Sequence, residues 1–151
     1  MLSSLQESIG ANRTNYGFDT FSGMTTPTAH DVDYLGNLAG EVMQSVTKID
    51  GGNSIHALAS LALVKSNLLE NNAKNIKLIE DDVAVTLNES KHLHEKIAIL
   101  RLDTYWYDST KIELETLYPL LEPGGVLIID DYGHYSGARK AVGEYFKGTV
   151  V

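Results

Sequence analysis

Apolar positions along the chain fall into short blocks whose period keeps changing. Leu2, Leu5 and Ile9 keep near-helical spacing ahead of Gly10, so residues 2–9 read as a short helix. Tyr16, Gly17 and Phe18 read as a brief strand that ends in Asp19. "SGMTTPTAHDVD" is dense in turn and capping residues and reads as a loop. Residues 31–46 are ambiguous: "YLGNLAGEVMQSV" fits a helix, but Gly36 and Gly40 each weaken one by about 1 kcal/mol. "DGGN" at 50–53 is a turn. In "SLALVKSNLLENN", Ser60 can cap a helix that carries Leu61, Val64 and Leu68 on one face. "NIKLIE" at 75–80 reads as a strand running into Glu80, Asp81 and Asp82, and a short helical turn is expected within "VAVTLNESKHLHE". "KIAILRL" at 96–102 is a strand closed by Asp103. Ile112, Leu114, Leu117, Leu120 and Leu121 predict a helix from Ser109 to Leu121, ended by Pro123 and Gly124. A strand at 125–129 and a helix over "GARKAVGEYF" complete the order. Strands alternating with helices predict an α/β fold with a largely parallel sheet.

Composition narrows the picture. The 151 residues suit one domain with one core. A net charge of −8 disfavours nucleic-acid and anionic-membrane partners and is compatible with binding a cation. The absence of cysteine excludes disulfides, zinc–thiolate sites and thiol nucleophiles. The N-terminus lacks the pattern of a signal peptide, and no apolar run approaches the ~20 residues of a membrane span, so a cytoplasmic protein is expected.

Strand ends carry the candidate chemistry. In a parallel sheet the carboxyl ends of all strands share one edge, and neighbouring strands lie ~4.8 Å apart. If strands 96–102 and 125–129 are neighbours joined by a right-handed crossover, Asp103 and Asp130 meet at that edge, with Asp131 in reach. Three carboxylates without His or Cys suit a hard divalent cation, magnesium best, manganese or calcium also. Aspartate after a strand also serves as a turn or helix cap, and that plainer role stands beside the metal one. Asp19 closes its strand at the same edge, where an acid can accept ribose hydroxyls or simply form a turn. Asp82 is ambiguous in the same way. His134, three residues past the acidic pair, is a candidate proton carrier, although loop histidines are usually inert. His30, His56, His92 and His94 show no convincing partner. Tyr105, Trp106 and Tyr107 either wall a pocket or pack the loop, and Arg139–Lys140 reads as a solvated helix face.

"ILRLDTYWYDST" together with "LYPLLEPGGVLIIDDYGHYSGARKAV" resembles the macrocin O-methyltransferase (TylF-type) family, and "YGFDTFSGM" followed by "PTAHDVD" is similar to another segment of it. The resemblance covers residues 13–35 and 60–146. It implies a Rossmann-like class I methyltransferase fold, S-adenosylmethionine as methyl donor, and magnesium at the hydroxyls of a sugar-like small-molecule acceptor. By resemblance, Asp103, Asp130 and Asp131 match the metal-binding aspartates, and Asp103 also a base for the acceptor hydroxyl. Asp19, with Thr20 beside it, matches the acid at the cofactor ribose, and Asp82 a segment near the adenine.

Two departures from the family follow. Tyr105 stands where members usually carry a second acid. The family's first strand and glycine-rich cofactor loop have no counterpart ahead of "MLSSLQESIG", and "KIDGGNSIHA" at 48–57 is only superficially like that loop. The expectation is therefore one partial methyltransferase domain over 1–151, an incomplete class I fold lacking its first strand and truncated at both ends. The missing strand is central in the class I order, so the strand ending at Asp19 and that ending at Asp103 either flank a gap or pair directly. Either way unpaired edges are exposed, which a second copy of the chain can cover. Such a chain is expected to bind the donor weakly or not at all by itself. The alternative is a non-catalytic cation-binding or partner-binding α/β domain that has lost the donor site. "LIIDD" also resembles the acidic pair of a receiver domain, but only 20 residues follow Asp131, too few for the rest of that fold. The "DTY" at 103–105 breaks the Asp-x-Asp of a haloacid-type phosphatase.

Overall fold

The computed structural model describes residues 2–47, 55–89 and 96–147. His92 and His94 fall outside these residues, as does most of "KIDGGNSIHA". The chain gathers into two compact units, Met1–Thr25 with Thr47–Asp82, and Thr26–Val46 with Val83–Val151. Among the described residues no helix is long and apolar enough to cross a membrane.

The first unit contains α1 (Leu2–Ser8), β1 (Asn15–Asp19), α3 (Leu61–Glu70) and β2 (Ile76–Glu80). β1 and β2 pair in parallel, from Asn15 opposite Ile76 to Asp19 opposite Glu80. Ser60 caps α3 as its sequence predicts, its hydroxyl accepting from the Leu63 amide at 3.4 Å. Lys74 and Glu7 tie the start of β2 to α1 through an exposed ion pair at 2.6 Å.

The second unit contains α2 (Ala39–Ser45), α4 (Val83–Thr86), β3 (Ile97–Leu102), α5 (Tyr107–Leu117), β4 (Leu121–Ile129) and α6 (Ser136–Tyr145). β3 and β4 pair in parallel, with Leu102 opposite Ile129. Leu100 and Leu102 point into the core with Leu114, Leu117, Ala138 and Ala141. Ile99, Val126 and Ile128 lie on the other face of this sheet and stay about half exposed. The α/β class and the parallel pairings are as the periodicity predicts. The four strands form two two-stranded sheets, β1–β2 and β3–β4, rather than one in which β1 pairs directly with β3.

Two boundaries differ from expectation. α5 ends at Leu117 and passes into one 3-10 turn, Tyr118–Leu120, instead of running to Leu121. Pro119 is the cause: it has no amide proton to continue the ladder, and its ring crowds the carbonyl four residues back. β4 then starts at Leu121, not at 125, and Pro123 and Gly124 lie in a register irregularity between Ile97 and Ile99 instead of ending a helix. In the ambiguous 31–46 segment only Ala39–Ser45 is α-helical. Gly36 adopts φ +91°, and Asp33 closes the turn around it. Its carboxyl accepts from the amides of Leu35 at 2.8 Å and Asn37 at 2.9 Å.

The loop 26–38 is bound into the second unit through Asp31, which is fully buried. One carboxyl oxygen accepts from the Tyr107 amide at 2.8 Å, in the first turn of α5. The other accepts from the Thr28 amide at 2.6 Å and the Thr28 hydroxyl at 2.9 Å. Trp106, the N-cap residue of α5, offers no side-chain cap, so Asp31 satisfies a helix-end donor from far along the chain. A Cβ at Gly137 would sit 1.9 Å from Asp31 Oδ1 and 2.8 Å from the Tyr107 nitrogen, so glycine is required there.

Asp31→Ala is expected to destabilise this unit by about 3 kcal/mol, because it orphans buried donors. Gly137→Ala should also destabilise it, and the double variant should lose less than the sum of the singles. Urea unfolding followed at Trp106, the sole tryptophan, measures all three; additive losses would mean that the two positions do not interact.

Candidate functional site

β3 and β4 deliver their acidic ends to one rim. The Asp130 amide donates to the Leu102 carbonyl at 2.8 Å, extending the ladder by one step past β4. Asp103 and Asp130, the first residues beyond their strands, therefore lie side by side. Asp131 follows in the left-handed region at φ +50°, which aspartate tolerates better than most residues, and its amide donates to Asp130 Oδ1 at 3.1 Å. One oxygen from each of Asp103, Asp130 and Asp131 lies within 4.8 Å of the others. Asp103 and Asp130 are exposed and Asp131 is half-buried.

Charge is compensated by a residue that the sequence reading passed over. Arg101 Nη1 sits 2.8 Å from Asp103 Oδ2, while Nη2 is hydrogen-bonded to Asp130 Oδ2. Because Arg101 precedes Asp103 by two strand positions, both side chains leave the same face of β3. The guanidinium thus forks across the two strand ends. The available signal was the i, i+2 spacing of Arg101 and Asp103 in "ILRLD".

The three carboxyls titrate in different directions. The Arg101 hydrogen bond, joined by that of the Asp131 amide, holds Asp130 below its ordinary range. Partial burial raises Asp103, opposed by Arg101 and reinforced by the Asp130 charge. Burial, followed by the Asp130 charge, also raises Asp131, while His134 acts to lower it.

An aromatic wall stands beside the carboxyls. Tyr105 stacks on Tyr135 with ring centroids 5.6 Å apart, and Trp106, almost fully buried, meets Tyr135 edge-on at 5.0 Å. Burial and the Asp131 charge raise the Tyr105 phenol above its ordinary range. His134 packs on Tyr135 at 4.6 Å and on Tyr34 at 5.4 Å, and its amide donates to the Asp131 carbonyl at 3.0 Å. Of the two readings of the 105–107 aromatics, the buried Trp106 is packing, while Tyr105 faces the carboxyls.

His30, for which the sequence suggested no partner, has several. Its Nδ1 lies 3.1 Å from Lys140 Nζ, and its ring meets Tyr107 edge-on at 4.9 Å. Lys140 also stands 4.7 Å from the Tyr107 ring centroid, so it is not a purely solvated residue.

In the first unit, Asp19 and Asp82 reach the carboxyl end of the β1–β2 pair. Asp19 Oδ1 accepts from the Phe21 amide at 2.6 Å, and the Asp19 carbonyl accepts from the Asp81 amide at 3.1 Å. Thr20 donates to the Gly23 carbonyl at 2.6 Å. The turn-forming role of Asp19 is thus real. Its exposed carboxyl keeps further acceptor capacity, because each carboxylate oxygen has two lone pairs. The Asp82 amide donates to Asp81 Oδ1 at 2.8 Å.

Residues 1–150 match the family model described as macrocin-O-methyltransferase (TylF). The chain belongs to this family. Among curated relatives, demethyldecarbamoylnovobiocin O-methyltransferase of Streptomyces niveus is 27% identical over 139 residues, 89% of this chain and 47% of that protein. The 8-demethyl-8-(2,3-dimethoxy-alpha-L-rhamnosyl)-tetracenomycin-C 4'-O-methyltransferase of Streptomyces olivaceus is 48% identical over 50 residues, 33% of this chain and 19% of that one. The solved O-methyltransferase NovP superposes with a TM-score of 0.73 at 24% identity, over 96% of this chain and 56% of the other, and so shares the fold. The chain spans about half the length of the relatives that it matches along most of its own.

Carbon-detected NMR titration of the TylF-family chain should place the Asp130 midpoint below the ordinary 3.8, and those of Asp103 and Asp131 above it. Asp130 then contributes stability that is present above the unfolded midpoint and lost as pH falls through its folded one. Asp103 and Asp131 act oppositely: their contribution declines as pH rises from the unfolded midpoint through the folded one. In Asp130→Asn both raised midpoints should move down, since the Asp130 charge helps raise each. Unmoved midpoints would mean that the Asp130 charge is not among their causes.

Proposed function

We propose that this chain serves an S-adenosylmethionine-dependent O-methyltransferase reaction on a hydroxyl of a sugar-like small molecule, with help from a divalent metal. The observation that carries this reading is the convergence of Asp103, Asp130 and Asp131 within 4.8 Å, in a chain of the TylF family.

The donor set fits the ion. Three carboxylate oxygens are hard ligands, and all lie within 4.8 Å of one another, near the ~3 to ~4.2 Å that separates oxygens about magnesium bonded at ~2.1 Å. When bound, magnesium would lower the pKa of an acceptor hydroxyl, and S-adenosylmethionine would supply the methyl group. Asp103, Asp130 and Asp131 would hold the ion, and Asp103 would receive the hydroxyl proton, its raised affinity for protons suiting a base. Tyr105 and Tyr135 would flank the acceptor and exclude water on that side. His134 lies next to Asp131 and would modulate its charge or relay a proton to solvent. Asp19, Thr20 and Asp82, at the end of the other parallel pair, would hold the donor's ribose and adenine side. The aromatic wall and the acid-lined rim suit a small polyhydroxylated acceptor with an apolar face better than a polyanion.

Millimolar magnesium should raise the melting temperature of the wild-type chain by a few degrees, because a ligand that binds only the folded state stabilises it. Asp130→Asn should lose most of that rise. Differential scanning fluorimetry with and without the ion reads both, and a wild type indifferent to magnesium, manganese and calcium alike defeats the metal assignment. Methyl transfer from labelled S-adenosylmethionine to a glycosylated acceptor tests the activity itself.

A further inference from the structure

Arg101 is unusual in being a fully charged cation already lodged among the groups assigned to a metal. Its fork satisfies one oxygen each of Asp103 and Asp130, leaving Asp131 as the carboxyl it does not bridge. The guanidinium and a divalent ion draw on the same two carboxylates, and the positive charge of Arg101 opposes a second cation placed beside it. Arg101 is itself about half exposed, so its side chain can swing into water without unpacking the core.

We propose that Arg101 is the resident counter-ion of this carboxylate cluster, and that a divalent cation takes the three aspartates only as the guanidinium withdraws from at least one of them. The inference rests on the metal reading above and adds a competition to it. Without the ion, the Asp103 oxygen held at 2.8 Å is masked by Arg101. Withdrawal of the guanidinium uncovers that oxygen. The chain thereby keeps the acidic rim intact at neutral pH despite three adjacent carboxyls, at the expense of cation affinity. Arg101 is in this sense a positioning residue and not a catalytic one.

Manganese binding to the whole chain, followed by loss of the free-ion electron paramagnetic resonance signal, tests the competition. Arg101→Met removes the charge but keeps an unbranched apolar stem, and should bind manganese at least about tenfold more tightly than the wild type, because one positive charge near the site is gone. Arg101→Lys keeps the charge but cannot fork, and should fall between them. In the wild type, magnesium should shift the Arg101 side-chain Nε–Hε resonance, whereas Asp130→Asn should prevent the shift. Equal or weaker manganese binding by Arg101→Met, beside measurable binding by the wild type, overturns the competition and leaves the metal reading standing. No binding by the wild type or any Arg101 variant overturns both. If Arg101→Met fails to fold, Arg101→Lys and the magnesium-induced resonance shift decide: no gain in affinity and no shift refute the proposal.

Discussion

The register of β3 against β4 is the constraint on which the candidate site depends. With Leu102 opposite Ile129 and the Asp130 amide bonded to the Leu102 carbonyl, the next residue of each strand is an aspartate held beside the other at sheet spacing. Side chains alternate along a strand, so a slip of one residue would turn Asp103 away and bring Leu102 to the rim. Burial of Leu100 and Leu102 on the inner face opposes that slip, since it would expose two leucines worth roughly 1.5–3 kcal/mol each. The hydrophobic core thus fixes where the charges stand. Their mutual repulsion is a consequence of the register, and Arg101, carried on the same strand at the same parity, is the local compensation.

A second constraint lies in the loop around Asp31. Its carboxyl holds the first turn of α5, and the same loop meets α6, where the Ser136 amide donates to the Val32 carbonyl at 2.9 Å. The Ser136 hydroxyl in turn donates to the His30 carbonyl at 2.7 Å. The two segments that follow the acidic strand ends, 104–107 and 132–136, are thereby fastened to one loop. Trp106 and Tyr135 pack between them. A buried carboxyl is costly unless its oxygens are satisfied, and here both are. The polar interior of this loop is therefore what lets the aromatic wall keep its place beside the carboxyls.

Much of this organisation was legible from the chain. Alternating and helical periods located the four strands and most helices, and acidic residues directly after 96–102 and 125–129 marked the rim, because strand direction alone puts such residues together. Pro119 was legible in principle, but the apolar spacing of Leu117, Leu120 and Leu121 continues through it and masks the stop. The tie from Asp31 to Tyr107 was not legible, since it joins residues 76 positions apart and leaves no periodic trace. The requirement for glycine at 137 was hidden for the same reason: inside a helical pattern that glycine reads only as a weak point, and its necessity comes from the carboxyl packed against it. Arg101 was overlooked because a strand ending in "RLD" presents its arginine as an ordinary exposed residue until the neighbouring strand supplies Asp130.

The three carboxyls, chemically identical in the sequence, are made different by their surroundings. Asp130 is exposed, bonded by a guanidinium and an amide, and is pushed toward permanent ionisation. At Asp103 and Asp131 partial burial and the Asp130 charge both raise the affinity for protons. Environments that drive like groups apart are the usual means by which one site provides both a fixed charge and a proton acceptor. Under the proposed chemistry this favours Asp130 as the constant anchor for a cation and Asp103 as the group whose proton occupancy changes. The arrangement is also self-consistent in the opposite sense. A cation bound at Asp130 and Asp131 would offset the charges that raise Asp103, and so would tune the affinity of the base for the proton that it is asked to take.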